Sequence, residues 1–181
     1  MKKVLLILIF TFVGLSAAQA RVGLGIVWGG SAAWNGWRGN YGAGFSLAVG
    51  ELERVNWEMA LRFWGGNNYF NFNIDTAWHA YQYNLASFVG LYIGIGPYLG
   101  FQWDMIKYRG DDNRTYQRYS VDIGARVPIG FRFFFARHFE IWLGMVPNVG
   151  LLIDIANQAI GGTRFRVGGG IGGEIGFRFW I

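Results

Sequence analysis

Residues 164–181 read RFRVGGGIGGEIGFRFWI. Phe165, Val167, Ile171, Ile175, Phe177 and Phe179 fall on one parity, and Arg164, Arg166, Gly168, Gly170, Gly172, Glu174, Gly176 and Arg178 on the other. A period of two belongs to a β-strand, whose successive side chains point to opposite faces. One face of this strand is greasy, and the other carries charge or no side chain at all. A solvated face would be dense in lysine. A face rich in glycine suits instead a narrow interior where backbones crowd.

The same rule recurs upstream. Val22, Leu24, Ile26 and Trp28 oppose Gly23, Gly25 and Gly29, and Tyr41, Ala43, Phe45, Leu47 and Val49 oppose Gly42, Gly44, Ser46 and Gly50. Val55, Trp57, Met59, Leu61 and Phe63 oppose Asn56, Glu58 and Arg62, while Phe70, Phe72, Ile74 and Trp78 oppose Asn71, Asn73, Asp75 and His79. The pattern blurs between 80 and 89, where a turn is expected. It resumes with Leu91, Ile93, Ile95, Leu99, Phe101 and Trp103, then as one continuous sixth strand from Val121 to Phe135, then with Ile141, Leu143, Met145, Val149 and Leu151. Eight strands result. Aromatics recur near their ends, at Trp28, Tyr41, Trp57, Phe63, Trp103, Phe135 and Phe179, where interfacial girdles sit. A sheet greasy on its outside needs lipid, and hydrocarbon cannot satisfy an open sheet edge, so such a sheet must close. The fold expected for residues 21–181 is all-β: an eight-stranded antiparallel up-and-down transmembrane β-barrel. A soluble secreted sandwich or ligand carrier is the rival built from the same alternation.

Residues 1–20, MKKVLLILIFTFVGLSAAQA, join two lysines, a short apolar run and the triplet Ala18-Gln19-Ala20. They read as a secretory signal cleaved after Ala20, since the run is shorter than the ~18 apolar residues of a membrane helix. The working chain is then a single domain. Composition agrees with an ordered, exported membrane protein: Gly supplies 29 of 181 residues, aromatics 19%, charged residues 15%, and there is no Cys. The aromatic load excludes disorder. Without Cys there is no disulfide frame, thiolate metal site or lipid-anchoring thiol, and two histidines leave little for metal chemistry, so no cofactor and no metal are expected. A formal charge of +5, two units of it in the leader, is too weak to argue for nucleic acid.

With the chain starting inside, the long polar or Gly-rich connections 30–40, 104–119 and 154–163 fall on the extracellular side, and short turns at 51–54 and 136–139 on the periplasmic side. Those long loops are the surface through which an extracellular ligand would bind; the other expected partner is outer-membrane lipid, around a monomer. The inward parity gathers Glu58, Arg62, Asp75, His79, Asp122, Arg126, Arg132, Glu140, Arg164, Arg166, Glu174 and Arg178. Five acids, six arginines and one histidine in one lumen are expected to pair as a structural plug, because an unpaired charge there would cost several kcal/mol. Gly144 shares that face and is expected to tolerate an acid better than its neighbour Leu143 tolerates an arginine. His79, with the hydroxyls of Tyr81 and Tyr83 taken to be beside it, is the thin basis for the alternative of a lipid- or lipopolysaccharide-modifying enzyme.

Particular motifs add to the periodicity. Trp78-His79, LYIGIGPYLGFQ at 91–102, DIGARVPIGFRFFF at 122–135 with its Arg126-Val127-Pro128-Ile129-Gly130, EIWLGMVPNVGLL at 140–152 and the ending GGEIGFRFW resemble a family of small bacterial outer-membrane β-barrels. The resemblance covers most of the chain from the third strand onward. It implies an eight-stranded barrel like the OmpA transmembrane domain and brings no catalytic residues. The chain departs from similar proteins at Gly144, where they often carry an acid, and at Trp180-Ile181, where they generally end in Phe. The function expected is that of an integral outer-membrane protein with a structural or adhesin-like role.

Overall fold

The alternation in the sequence becomes nine β-strands in the computed structural model, which describes residues 21–34, 41–107, 115–156 and 162–181. They are β1 (Arg21–Trp34), β2 (Tyr41–Gly50), β3 (Val55–Gly66), β4 (Tyr69–Ala86), β5 (Val89–Lys107), β6 (Thr115–Arg126), β7 (Ile129–Phe135), β8 (Phe139–Ala156) and β9 (Arg164–Trp180). All pairings are antiparallel. With β4 paired to β5, and β1 to β9 from Gly23↔Trp180 to Trp34↔Gly169, the sheet closes into a ring. At the seam Ile181 N donates to the Val22 carbonyl at 2.9 Å and Val22 N to the Ile181 carbonyl at 3.3 Å.

The expected sixth strand is broken in two. Proline has no N–H to give a ladder, and Val127-Pro128 separates β6 from β7. Register nevertheless carries through: both segments lie between β5 and β8, with Gly96 opposite Arg126 and Ile93 opposite Ile129. Gly94 N donates to the Pro128 carbonyl at 2.8 Å, and Val127 N to that of Pro147 at 2.9 Å.

Parity sorts the side chains to two faces. Trp28 and Ile26 are each 61% exposed on the outside of the ring, whereas their neighbour Val27 is 2% exposed on the inside. Outward aromatics and aliphatics continue around the ring through Phe45, Phe63, Trp78, Ile95, Ile123, Leu143 and Phe177. Charge and glycine fill the inside. Some of those glycines are required by bulk: Gly176 lies under the indole of Trp142, where an added Cβ would sit 2.1 Å from the ring.

Two expectations about connections are corrected. The turn placed at 80–89 is strand, since β4 runs to Ala86 and turns only at 87–88. The blur has a local cause: His79 pairs with Gly94 but Tyr81 with Ile93, so Ala80 is an extra residue that reverses the parity. Tyr81 and Tyr83 consequently point outward, away from His79. The long connections are also shorter than expected. Residues 30–34 belong to β1, 104–107 and 115–119 to β5 and β6, and 154–156 to β8. Several of their inward residues are polar or charged, among them Ser31, Asp104, Arg118 and Asp154, which gave them the composition of loops. Residues 162–163 stay outside any strand, and the remainder of those connections, at 35–40, 108–114 and 157–161, lies outside the described residues, as does the leader 1–20.

Candidate functional site

Four arginines and four carboxylates reach the inside of the ring from six strands, because each stands at an inward parity position of its own strand. Glu58 and Arg62 come from β3, Asp75 from β4, Arg126 from β6, Arg132 from β7, Glu140 from β8, and Glu174 and Arg178 from β9. They form a connected network. Arg62 and Arg126 both bind Asp75, and both reach Glu174, at 2.7 and 3.1 Å. Arg126 also lies 3.8 Å from Glu58, which receives Arg178 at 3.1 Å.

Glu140 is fully buried and closes the lower end of the network. It accepts from Arg132 Nε at 2.6 Å, from Arg178 Nη1 at 3.2 and 3.3 Å, and from Trp180 Nε1 at 2.7 Å. Some of the remaining guanidinium donors go to neutral acceptors. Arg178 donates to Ser46 Oγ at 2.7 Å, and Arg132 to Gln82 Oε1 at 3.2 Å and to the Leu52 carbonyl at 2.8 Å. Arg178 also lies over the Trp142 ring, 4.2 Å from its centroid. This arrangement satisfies the physics of buried charge: every guanidinium faces a carboxylate, and the planar forks bind more than one partner.

His79 stacks on Tyr92, centroids 4.8 Å apart, with Nε2 3.4 Å from Glu58 Oε2. Tyr92 OH reaches Glu174 at 3.5 Å. His79 is thus enclosed by an aromatic ring and an ion pair, and the hydroxyl of that ring is directed to Glu174.

The remaining inward residues of the expected set lie apart, nearer the end opposite the termini. Asp122 is buried beside Gly100. Arg166 binds Asp154, which also accepts from Ser120 Oγ at 2.6 Å, and Arg164 stands exposed, opposite Asp154 in the ladder. A bidentate pair, Arg118 Nε and Nη2 on the two oxygens of Asp104 at 3.0 and 2.8 Å, belongs to the same level. Asp104 and Arg118 fall in a segment expected as a loop, and Ser46, Tyr92, Trp142 and Trp180 lie outside the set of site residues expected from sequence. Their inward parity was the available signal; a mixed polar and aromatic composition obscured it. Among the described residues no group of three or more His, Asp or Glu is arranged to hold a metal ion.

A family model described as "Protein of unknown function (DUF3996)" matches residues 40–175. The chain belongs to this family. The matched segment carries every residue of the ion-pair network except Arg178, which lies just beyond it, so the DUF3996 region and the charged interior nearly coincide. No curated protein matches the sequence. Among solved structures, the DUF3996 chain is similar to a major outer membrane protein from Thermus thermophilus, at 7% identity and a TM-score of 0.59, over 90% of this chain and 100% of that one. It also matches the attachment invasion locus protein Ail of Yersinia pestis (12% identity, TM-score 0.46, 90% and 97% covered) and Neisserial surface protein A (14%, 0.48, 88% and 96%). At 7% identity the Thermus likeness shows the fold alone: an antiparallel ring of the kind found in outer-membrane β-barrels.

Proposed function

We propose that this DUF3996 chain is an eight-stranded β-barrel of the bacterial outer membrane, exported by a signal cleaved after Ala20, whose lumen is plugged by ion pairs and whose role is structural or adhesive. The observation that carries the reading is the division of the ring into two faces, since an apolar outside around a charged, paired inside is stable only with lipid outside. Reading β6 and β7 as one stave interrupted at Pro128 gives the count of eight, in keeping with their common partners and unbroken register. Eight staves enclose a space that side chains just fill.

The network from Arg62 to Glu140 stands across that space as structure. Its groups neutralise each other and present no reacting atom. Interaction with the exterior falls to the connections at the end away from the termini, within 35–40, 108–114 and 157–163. The protein works as a monomer and without a cofactor. Fractionation of expressing cells tests the proposal: the chain should sediment with outer membranes, require detergent for extraction, and give no stable single-channel steps in planar bilayers. Recovery as a soluble protein, or large reproducible steps from pure monomer, would overturn it.

A further inference from the structure

The outer wall of the ring is taller on one side than on the other. A row of paired residues leaves β8 at Glu140, passes through Arg178, Gly25, Ser46, Ala60, Asp75, Tyr98 and Gly124, and returns to β8 at Gly150, ten residues further on. Such a stagger goes with strands tilted by roughly 35–45°, so each residue climbs about 2.5 Å along the axis. On β3 the outward apolar side chains run from Trp57 to Phe63, a climb of about 15 Å, and the strand ends beside an exposed turn at Asn67-Asn68. On β8 every outward position from Phe139 to Ile155 is apolar, a climb of about 40 Å. Neighbouring β9 matches it, with Phe165 opposite Ile153 and Val167 opposite Leu151, 68% and 69% exposed.

The apolar band of an outer-membrane barrel is about 25 Å tall. The β3 side fits within that height, and the β8–β9 side exceeds it by roughly 15 Å. Phe139 pairs with Phe179 beside the short β7–β8 turn, so the excess lies at the end away from the termini. Its chemistry fits lipid. No charged or amide side chain interrupts the outward column of β8, so the upper wall continues the lipid-facing one and is not set off by a polar rim. At its top Ile155 pairs with Tyr119, and Tyr119 with Trp103, residue types that stand at headgroup level. Beyond Tyr119 the outward positions of β6 turn polar, at Gln117 and Thr115. The polar boundary thus steps up from the Asn67-Asn68 turn on one side to the level of Tyr119 on the other.

We propose that the β8–β9 wall is covered by lipid hydrocarbon to its top, so that the barrel carries a one-sided collar of thickened bilayer and favours lipids with long acyl chains. A wall taller than the local hydrocarbon is accommodated by thickening the bilayer or by tilting. Tilting the whole barrel shortens both walls alike and leaves their difference in place.

The proposal rests on the membrane-barrel reading, and the experiment separates the two. The chain has no native Cys, so spin labels on single cysteines can be compared in vesicles of dilauroylphosphatidylcholine and of the longer-chained dierucoylphosphatidylcholine. Collision with dissolved oxygen reports hydrocarbon, and collision with a water-soluble nickel chelate reports water. Labels at Ile155→Cys and Phe165→Cys should be dominated by oxygen in the long-chain lipid and should shift several-fold toward the chelate in the short-chain lipid. Val167→Cys replaces either one should it fail to assemble. Gly66→Cys, where an added side chain meets open space at the end of the short side, should stay with the chelate in both lipids, and Leu143→Cys with oxygen in both. Chelate dominance at Ile155 and Phe165 in the long-chain lipid would place the upper wall in water and overturn the proposal. Labels there that exclude both probes whatever the chain length would overturn it by showing a protein cover, a second copy included. An oxygen-dominated Gly66 label would overturn the one-sidedness, and a chelate-dominated Leu143 label the membrane reading instead.

Discussion

Replacing Glu140 by Gln changes one atom and removes one buried charge. The carboxylate is fully buried and takes hydrogen bonds from Arg132, Arg178 and Trp180 on its two oxygens. An amide keeps one acceptor oxygen and turns an NH2 toward the remaining donors. Removing one partner of a buried ion pair costs about 3–5 kcal/mol, because the other charge stays in place without compensation. Arg178 keeps Glu58, and Arg132 keeps Gln82 and the Leu52 carbonyl. The expected loss therefore lies near the lower end of that range, about 3 kcal/mol. Reversible denaturant unfolding in lipid vesicles, followed by tryptophan fluorescence, measures it. As the internal comparison, Asp104→Asn touches a pair whose arginine is partly solvated, and its loss should be clearly smaller. A loss below about 1 kcal/mol for Glu140→Gln, the value of an exposed pair, would refute the argument that the network is a desolvated plug.

Three further outcomes are expected. Leu143, 54% exposed on the outside, should lose roughly 2–4 kcal/mol as Leu143→Arg if it lies near the bilayer midplane, by the same unfolding assay, and no loss would contradict its lipid contact. Gly144→Glu should cost at least as much as overpacking does, about 1–3 kcal/mol, because a Cβ there would lie 2.7 Å from Tyr92 Oη and the new acid would stand opposite Glu174; a neutral or stabilising result would refute this. Ala136 and Arg137 form the β7–β8 turn with φ of 48° and 61°, so Ala136→Gly should raise the unfolding free energy by about 1 kcal/mol or less, and the midpoint with it, since glycine adopts that conformation without a Cβ penalty. A fall in the midpoint would count against that turn geometry.

The Gly144 outcome is less favourable than the sequence alone suggests, and the reason is instructive. Parity correctly sends residue 144 inward, but the space there is already occupied by Tyr92 of β5, which reaches it over Gly130 of the intervening β7. Period-two alternation carries information about one strand at a time. It identifies the outward row through Leu24, Phe45 and Phe177, and the inward row through Glu58, Arg126 and Glu174, without saying which residues of different strands meet. That depends on register. The same limit explains Tyr81 and Tyr83, where one bulged residue, Ala80, turns both faces over, and Asp104 with Arg118, whose charge made strand look like loop. The pairing of Glu140 with the penultimate residue Trp180 joins elements far apart in sequence. Nothing local in either segment marks it.

The central claim is that the outer face of the closed ring meets lipid on every side. Spin labels on single cysteines at Leu24, Phe45, Leu61, Trp78, Ile95, Ile123, Leu143 and Ile175 sample that face on β1, β2, β3, β4, β5, β6, β8 and β9. In reconstituted vesicles each label should collide more with dissolved oxygen, which concentrates in hydrocarbon, than with a water-soluble nickel chelate. Greater collision with the chelate at several adjacent strands, or a labelled chain that stays in solution without lipid, would contradict the account.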